Sequence, residues 1–171
     1  MDTKERREAL ANILRSSQEP VTGTSLAREL GVSRQIIVSD IAILRAGGAD
    51  VFATPQGYVM PSKGLTEKIT ATLACSHSTV QLKDELNTIV DNGGKVLDVV
   101  VEHPLYGEIK ANLMLVSRRE VADFIAKLAQ SGAEPLSIVT GGVHLHTVEV
   151  PNLKALEKIE QELKTQQILI K

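Results

Sequence analysis

The chain has 171 residues, a formal net charge of −2, 43% hydrophobic residues and only 2% aromatic residues. It is long enough for one ordinary domain or two small ones, with cores filled mainly by aliphatic side chains. A single cysteine excludes an internal disulfide, and no apolar run is long enough to span a bilayer. We therefore expect a cytoplasmic protein with no membrane partner.

The first part of the chain predicts three helices of a helix-turn-helix domain. Apolar residues at helical spacing predict a first helix over about 4–15. Thr24 is expected to cap a short second helix, Gly31 supplies the turn after it, and Ser33 caps a third helix over about 34–45. Two helices joined by a Gly-Val-Ser turn form the bihelical unit of DNA-binding proteins.

The third predicted helix carries the candidate DNA contacts. Ile37, Ile41 and Leu44 recur at helical spacing and should pack inward, so the opposite face is left for DNA. The predicted contacts are Ser33, Arg34, Gln35, Val38, Ser39 and Arg45. Arginine and glutamine can read guanine and adenine and valine can contact a thymine methyl group, while Ser33 and Arg45 are better placed for phosphates.

Charge gives this interpretation no support. Residues 1–60 carry seven basic and seven acidic side chains, so no large basic field indicates a nucleic-acid partner. A small three-helix module that mediates only protein contacts would show the same helical pattern. The polar outward face of the third helix favours double-stranded operator DNA.

A hairpin and a boundary are predicted next. Residues 50–60, Asp-Val-Phe-Ala-Thr-Pro-Gln-Gly-Tyr-Val-Met, are typical of two short strands around a turn, which would be the wing. The turn-forming sequence Pro-Ser-Lys-Gly over 61–64 is the expected boundary. We predict a winged helix-turn-helix domain over 1–60 and a regulatory domain over 61–171.

Strand and helix patterns alternate beyond the boundary. Predicted strands lie near 67–75, 95–103, 108–115, 136–139 and 143–149, and predicted helices lie over 78–91, over 118–131 and from 152. Ser78 to Gln81 and Ser117 to Glu120 have the spacing of capping boxes. The order of elements predicts a ferredoxin-like, split βαβ α/β sandwich, so the whole chain is assigned to the α+β class.

Three of the four histidines and one glutamate can converge in this second domain. His144 and His146 alternate with apolar residues in a predicted strand, so both rings face one side. His77 follows another strand, and Glu85 lies on or beside the inward face of the predicted helix. An inward carboxylate is costly unless it meets a cation or a donor, and this set of side chains suits nickel, zinc, iron or manganese.

The same residues also have ordinary interpretations. A histidine at a strand end is usually hydrogen-bonded or solvated, and Glu85 also fits a side chain that turns to solvent. Cys75 shares a strand face with His77 and is either a ligand or a small apolar filler. His103 ends an apolar row before Pro-Leu-Tyr-Gly, so it fits a pocket wall or a hydrogen-bonded turn.

The order of these motifs resembles that of the niacin-responsive transcriptional repressors, which join a biotin-repressor-like winged helix to a three-histidine ligand domain. The matching motifs cover essentially the whole chain. They are the winged helix, His77 with Glu85, His103-Pro-x-Tyr106-Gly, and Gly-Gly-x-His144-x-His146.

The resemblance implies the roles of these residues. His77, Glu85, His144 and His146 would bind a divalent transition metal, and His103 and Tyr106 would line the ligand pocket. The second domain would respond to nicotinate, and the first would repress genes for NAD synthesis or niacin uptake. Because two winged helices must fit two half-sites, we also expect a homodimer.

Two other classes share parts of the pattern. A metal-dependent enzyme with a site of three histidines and one glutamate and an accessory helix-turn-helix is one, since cupin-type oxygenases use such ligands. These enzymes need a β-barrel, whereas Glu85 falls on a predicted helix. A bifunctional biotin ligase and repressor is the other, but its Gly- and Arg-rich ligand loop does not occur after residue 61. We therefore predict a regulator with no catalytic residues.

Overall fold

The computed structural model describes residues 2–61 and 68–170. The chain divides into two compact units, Met1–Leu65 and Thr66–Lys171. Apart from Pro61, the predicted boundary segment 61–64 lies outside the described residues. Among the described residues, no helix combines the length and the apolar character needed to cross a membrane.

The first unit contains three helices followed by a two-stranded hairpin. These are α1 (Thr3–Ser16), α2 (Gly23–Leu30), α3 (Arg34–Ala46), β1 (Phe52–Thr54) and β2 (Gly57–Val59). The two strands pair antiparallel around Pro55 and Gln56, and a bridge between Val21 and Tyr58 adds a further pairing. The predicted helix-turn-helix and its wing are therefore both present.

Capping residues account for the bounds of α2 and α3. Thr22 caps α2, because its hydroxyl accepts the N–H of Ser25 at 3.1 Å, so the prediction of Thr24 as the cap was wrong by two residues. Gly31 ends α2 in the left-handed conformation, with φ of 65°. Ser33 caps α3 as predicted.

The core of the first unit lies between the helices and the hairpin. Its buried members are Leu10, Leu14, Leu26, Ala27, Ile37, Ile41 and Val51. One ion pair joins α1 to α3: Arg6 Nε donates to Asp40 Oδ2 at 2.7 Å, and a second guanidinium nitrogen donates to Asp40 Oδ1 at 3.2 Å. The two hydrogen bonds of this pair fix α3 against α1 on the side of α3 that is opposite its exposed face.

The second unit is one four-stranded sheet with helices. Its elements are β3 (Ile69–Ser76), a 3-10 helix (Thr79–Gln81), α4 (Leu82–Asp91), β4 (Lys95–His103), β5 (Gly107–Leu115), α5 (Arg118–Ser131), a 3-10 helix (Leu136–Thr140), β6 (Val143–Val150) and α6 (Leu153–Thr165). One core joins the sheet to α4, α5 and α6. The α+β class and a sheet with helices are confirmed.

The strand order is β3-β6-β4-β5, with every neighbouring pair antiparallel. β6 lies between β3 and β4, which makes the connection through α4 a split βαβ unit. Counted along the chain from β3, the first and third strands of this sheet, β3 and β5, occupy its edges. In a ferredoxin-like sheet the second and fourth strands occupy the edges. The chain therefore keeps the predicted split pairing in a different strand order.

Two local predictions in this unit were wrong. The segment predicted as a strand near 136–139 is a 3-10 helix, which begins after Pro135 and ends at the left-handed Gly141. It lies beside β4 and β6 without joining the sheet. The helix predicted from Ser78 starts with one 3-10 turn, and Ser78 makes no side-chain capping bond.

The other capping prediction was partly confirmed. The Ser117 hydroxyl accepts the N–H of Glu120 at 3.2 Å, as a helix cap should. The Glu120 carboxylate accepts the N–H of Val116, one residue before the cap, at 2.7 Å.

Candidate functional site

Glu85 lies at the centre of a buried cluster with three histidines. It is in the first turn of α4, and its side chain is 0% exposed. Its Oε2 lies 2.6 Å from His77 Nε2, 3.2 Å from His144 Nε2 and 3.3 Å from His146 Nε2. The histidine side chains are only 1% to 2% exposed, so the cluster is closed to bulk solvent.

Strand pairing places the three rings. His144 and His146 are on β6, where alternate residues face the core, so both rings point toward α4. In the β3–β6 register Cys75 lies opposite His144, which brings the end of β3 beside the start of β6. His77 follows that end directly, and its ring meets the His144 ring edge-on at 4.8 Å.

A backbone carbonyl accepts a hydrogen bond from the other nitrogen of each ring. His77 Nδ1 donates to Ser78 O at 2.7 Å, and His144 Nδ1 donates to Gly142 O at 2.8 Å. His146 Nδ1 donates to Asp98 O at 2.7 Å. Because a carbonyl oxygen can only accept a hydrogen bond, the Nδ1 atom of each of these three histidines carries a hydrogen. The Nε2 atom of each ring faces Glu85.

Glycine is required where the chain enters β6. A Cβ atom on Gly142 would lie 2.5 Å from the carbonyl oxygen of His77, and Gly142 has a φ of 108°. Any other residue would meet both the clash and the strain of this conformation. Gly142 therefore lets the start of β6 pass against His77 while its own carbonyl orients His144.

The cluster shifts the pKa values of its members in opposite directions. Burial lowers the pKa of His77 and of His146, but the hydrogen bonds and charge of Glu85 outweigh burial and raise both. Burial raises the pKa of Glu85, but His146, His144 and His77 together hold it far below its usual range. The three histidines therefore favour the ionised form of Glu85.

Charge counting shows what this hydrogen-bond pattern can hold. If every Nε2 donates a proton to Glu85, three imidazolium ions surround one carboxylate and leave a buried charge of +2. A divalent cation among three neutral imidazoles and the carboxylate leaves +1 and keeps every Nδ1 bond. Two ligand atoms each about 2.1 Å from one ion and at right angles lie about 3 Å apart, close to the distances between the Glu85 oxygens and the three Nε2 atoms.

Cys75 completes the surroundings of the cluster. One ligand atom each of Cys75, Glu85 and His144 lies within 4.8 Å of the other two. Burial raises the pKa of the Cys75 thiol well above its usual range, and the neighbouring Glu85 raises it further. Both effects favour the protonated thiol, whereas a bound cation would favour the thiolate.

His103 and Tyr106, which were predicted to line the ligand pocket, lie at the turn between β4 and β5. His103 Nδ1 accepts the N–H groups of Leu105 at 3.1 Å and Tyr106 at 3.2 Å. The rings of His103 and Tyr106 are 5.0 Å apart, and Tyr106 is 74% exposed. His103 has the opposite hydrogen-bond pattern from the three clustered histidines and is not one of Glu85's hydrogen-bond partners.

A groove of about 450 Å³ lies beside His144. It is lined by Val100, Val101, Glu102, Glu108, Thr140, Val143, His144 and Leu145. Neither His103 nor Tyr106 lines this groove. The two carboxylates in its wall make it unfavourable for an anion.

The predicted DNA contacts lie mostly on the exposed face of α3. Val38 is half-buried, and Ser33, Arg34, Gln35, Ser39 and Arg45 are exposed. The Arg34 side chain lies against the first residue of α2, because its Nε and Cγ are within 3.6 Å of where a Cβ on Gly23 would be. Arg45 Nε donates to Val51 O at 2.6 Å, which holds that guanidinium near the wing.

Asp98, and Gly142 by itself, are two further residues of the site that the sequence pattern did not predict. Asp98 is 2% exposed and supplies the carbonyl that orients His146. Its signal is an acidic residue within the apolar strand sequence Val-Leu-Asp-Val-Val. For Gly142, the signal in the sequence is the pair Gly141-Gly142 directly before a strand. A turn at that point ordinarily needs one glycine, so the second one indicates a further constraint.

Comparison with known proteins agrees with this architecture. Residues 6–59 match the family model of an HTH domain, and residues 70–171 match that of the 3H domain. The probable transcription repressor NiaR of Thermotoga maritima is 44% identical over 167 residues, which cover 98% of this chain and 94% of that protein. The transcription repressor NadR of Bacillus subtilis is 40% identical over 168 residues, covering 97% of this chain and 93% of that protein.

These matches agree with the resemblance drawn from the motifs and with the prediction of a regulator that is not an enzyme. The two domain matches lie on separate parts of the chain, and the matches to the two repressors span both parts. The chain belongs to the family of transcription repressors that join an amino-terminal HTH domain to a carboxyl-terminal 3H domain.

Proposed function

We propose that this repressor binds a divalent transition metal through His77, Glu85, His144 and His146 and senses nicotinate at that centre. The observation that carries the metal assignment is the orientation of the three rings. Each Nδ1 hydrogen is committed to a carbonyl, which turns three Nε2 atoms onto one buried carboxylate. Metal-binding histidines are typically oriented in this way.

The donor set limits the choice of metal. Three imidazoles and one carboxylate suit nickel, zinc, iron or manganese, and less so the hard ions calcium and magnesium. Cys75 adds a soft donor beside this set, although burial and the charge of Glu85 raise the pKa of its thiol. When bound, the ion would supply a Lewis-acid position that a ring nitrogen or a carboxylate can occupy.

We place nicotinate in a second cavity, of about 240 Å³, which borders His77. Its lining residues are His77, Ser78, Thr79, Ser137, Ile138, Gly141 and Gly142. Hydroxyl and backbone N–H groups can solvate a carboxylate there, and Ile138 can contact a flat ring. The larger groove beside His144 is less suitable because Glu102 and Glu108 would repel the anion.

Control of transcription requires that the effector change DNA binding. A ligand shifts an equilibrium only by its differential affinity, so nicotinate must favour the form that fits the operator. We propose a homodimer in which two winged helices fit two half-sites and nicotinate acts as corepressor for NAD-synthesis or niacin-uptake genes. The expected tightening of operator binding is about 5- to 150-fold, the usual range of allosteric coupling.

Fluorescence anisotropy with labelled DNA tests this function. The DNA is selected by the protein from a random pool, and its affinity is measured at one salt concentration with and without nicotinate. The metal-loaded protein should bind more tightly with nicotinate, and nicotinamide, which lacks the carboxylate, should have little effect.

His77→Ala supplies the matched control. It should leave non-specific, salt-dependent DNA binding intact and remove the nicotinate response, since the winged helix is unchanged. If nicotinate left the affinity of the metal-loaded wild type unchanged, the effector assignment would be wrong.

A further inference from the structure

We propose that Asp98 is the positioning residue of the metal centre. At a β-bulge, its side chain accepts the hydrogen bond from the neighbouring strand that a main-chain carbonyl accepts in a regular ladder, and its own main-chain carbonyl orients the His146 ring. The inference rests on the proposed metal function and deepens it. Asp98 acts through His146, since its carbonyl accepts the His146 Nδ1–H at 2.7 Å. Its own carboxylate is hydrogen-bonded elsewhere.

The bulge lies in the stretch of β4 that faces His146. Val96 pairs with Val148, and Val100 pairs with Leu145, so four steps along β4 match three steps along β6. One extra residue is therefore inserted into β4 between these two pairs. Bulges re-aim backbone groups that a regular ladder would use for strand pairing.

The other neighbour of β4 accommodates the same distortion. Val96 pairs with Leu115, and Asp98 pairs with Asn112, so β5 has one extra residue over this stretch. Met114 lies in it with a φ of 52°, one of only two non-glycine residues with positive φ in the described part of the chain. A conformation that disfavours methionine is thus held next to the bulge.

At this bulge the side chain of Asp98 does what a backbone carbonyl would otherwise do. Thr147 N–H points toward β4 and donates to Asp98 Oδ1 at 3.0 Å. The main-chain carbonyl of Asp98 is thereby released from the ladder to accept the His146 ring hydrogen. Asp98 thus accepts the Thr147 N–H of the neighbouring strand with its side chain and orients the His146 ring with its main chain.

A cation offsets the buried charge of Asp98. Asp98 Oδ2 lies 3.1 Å from Lys110 Nζ, and the two side chains are 3% and 53% exposed. The exposed lysine can exchange its carboxylate for water, so this pair contributes little to the geometry. The hydrogen bond that Asp98 Oδ1 accepts from the Thr147 N–H is the feature that maintains the bulge.

Four variants of the full-length protein separate these roles, with Ni²⁺ affinity measured by competition against a chromophoric chelator. Asp98→Ala removes the acceptor and should weaken Ni²⁺ binding about 10- to 100-fold, as loss of a ligand-orienting partner does. Asp98→Asn keeps an oxygen acceptor for Thr147, so it should retain nearly the wild-type affinity. Lys110→Gln is the matched control and should also bind like the wild type. Asp98→Ser should fall between, and it replaces Asp98→Ala in the comparison if the alanine variant does not fold.

A second measurement does not depend on metal. In the metal-free protein, ¹⁵N NMR of the His146 ring should show a slowly exchanging Nδ1–H in wild type and Asp98→Asn, and a rapidly exchanging one in Asp98→Ala. A merely structural role would lower the unfolding temperature without changing this exchange.

The outcomes are distinguishable from failure of the proposed function. If the wild type binds Ni²⁺ and Asp98→Ala binds it with equal affinity, the positioning role is wrong. It is also wrong if Asp98→Asn binds Ni²⁺ as weakly as Asp98→Ala does. If the wild type binds no divalent metal, the proposed function fails. The exchange rate of the His146 Nδ1–H then still decides whether Asp98 positions this ring.

Discussion

Gly142 and His77 approach so closely that a methyl group on Gly142 would lie 2.5 Å from the His77 carbonyl oxygen. The carbonyl of the same glycine accepts the Nδ1 hydrogen of His144 at 2.8 Å. A single backbone position therefore holds two of the three clustered histidines, although 65 residues separate His77 from Gly142 along the chain.

Gly142→Ala should destabilise the fold and weaken metal binding together. The clash with His77 adds to a strained φ, which alone costs about 1–3 kcal/mol. Gly141→Ala is a matched control, because Gly141 also has a positive φ, 65°, but nothing lies within 4 Å of its Cβ position. Thermal unfolding and metal titration of both variants check the prediction, and equal effects at the two glycines would contradict it.

His146→Ala should abolish tight binding of one divalent ion per chain, since the remaining ligands are oriented around a bond that the variant lacks. His103→Ala should leave the metal content unchanged, because the His103 ring accepts hydrogen bonds within its own turn. Metal analysis of the purified proteins decides between them. Full metal content in His146→Ala would exclude the site as proposed.

The stability of the metal-free protein should fall as pH rises above neutrality. The pKa values of His77 and His146 are raised in the folded state, so their stabilising effect is fully present below the ordinary histidine pKa and is lost as pH rises through the raised values. Glu85 has a lowered pKa and stabilises at all pH values above its ordinary one.

Metal should reverse the histidine part of this dependence. Histidines must lose their protons to bind an ion, so the rise in unfolding temperature caused by metal should grow as pH increases. Unfolding temperatures measured from about pH 6 to about pH 9, with and without Ni²⁺, provide the check, since this range spans the titration of histidine. A constant metal effect across this range would argue against histidine ligands.

Gln35→Ala or Arg34→Ala should weaken specific DNA binding by about 1–3 kcal/mol and relax the preference at one base pair. Arg45→Ala should weaken binding to all sequences alike, because a phosphate contact carries no base information. Affinities for a set of single-base variants of the operator separate these effects. Uniform losses for all three variants would mean that α3 does not read bases.

Local chemistry was readable from the sequence because it depends on neighbours along the chain. The glycine turn at Gly31 and the cap at Ser33 follow from backbone conformation and side-chain reach, and both are present. The period of two in a strand put His144 and His146 on one face of β6. The motif order likewise sufficed to identify the family.

Tertiary structure decided the distances on which the site depends. The insertion of β6 between β3 and β4 brings His144 and His146 to Glu85, which lies 2.6 Å from His77, eight residues before it in the chain. The bulge at Asp98 and the close approach at Gly142 arise only when these strands pair. Periodicity determines the face on which a side chain lies, but the register between segments distant in the chain determines what that side chain meets, because it results from packing the whole core.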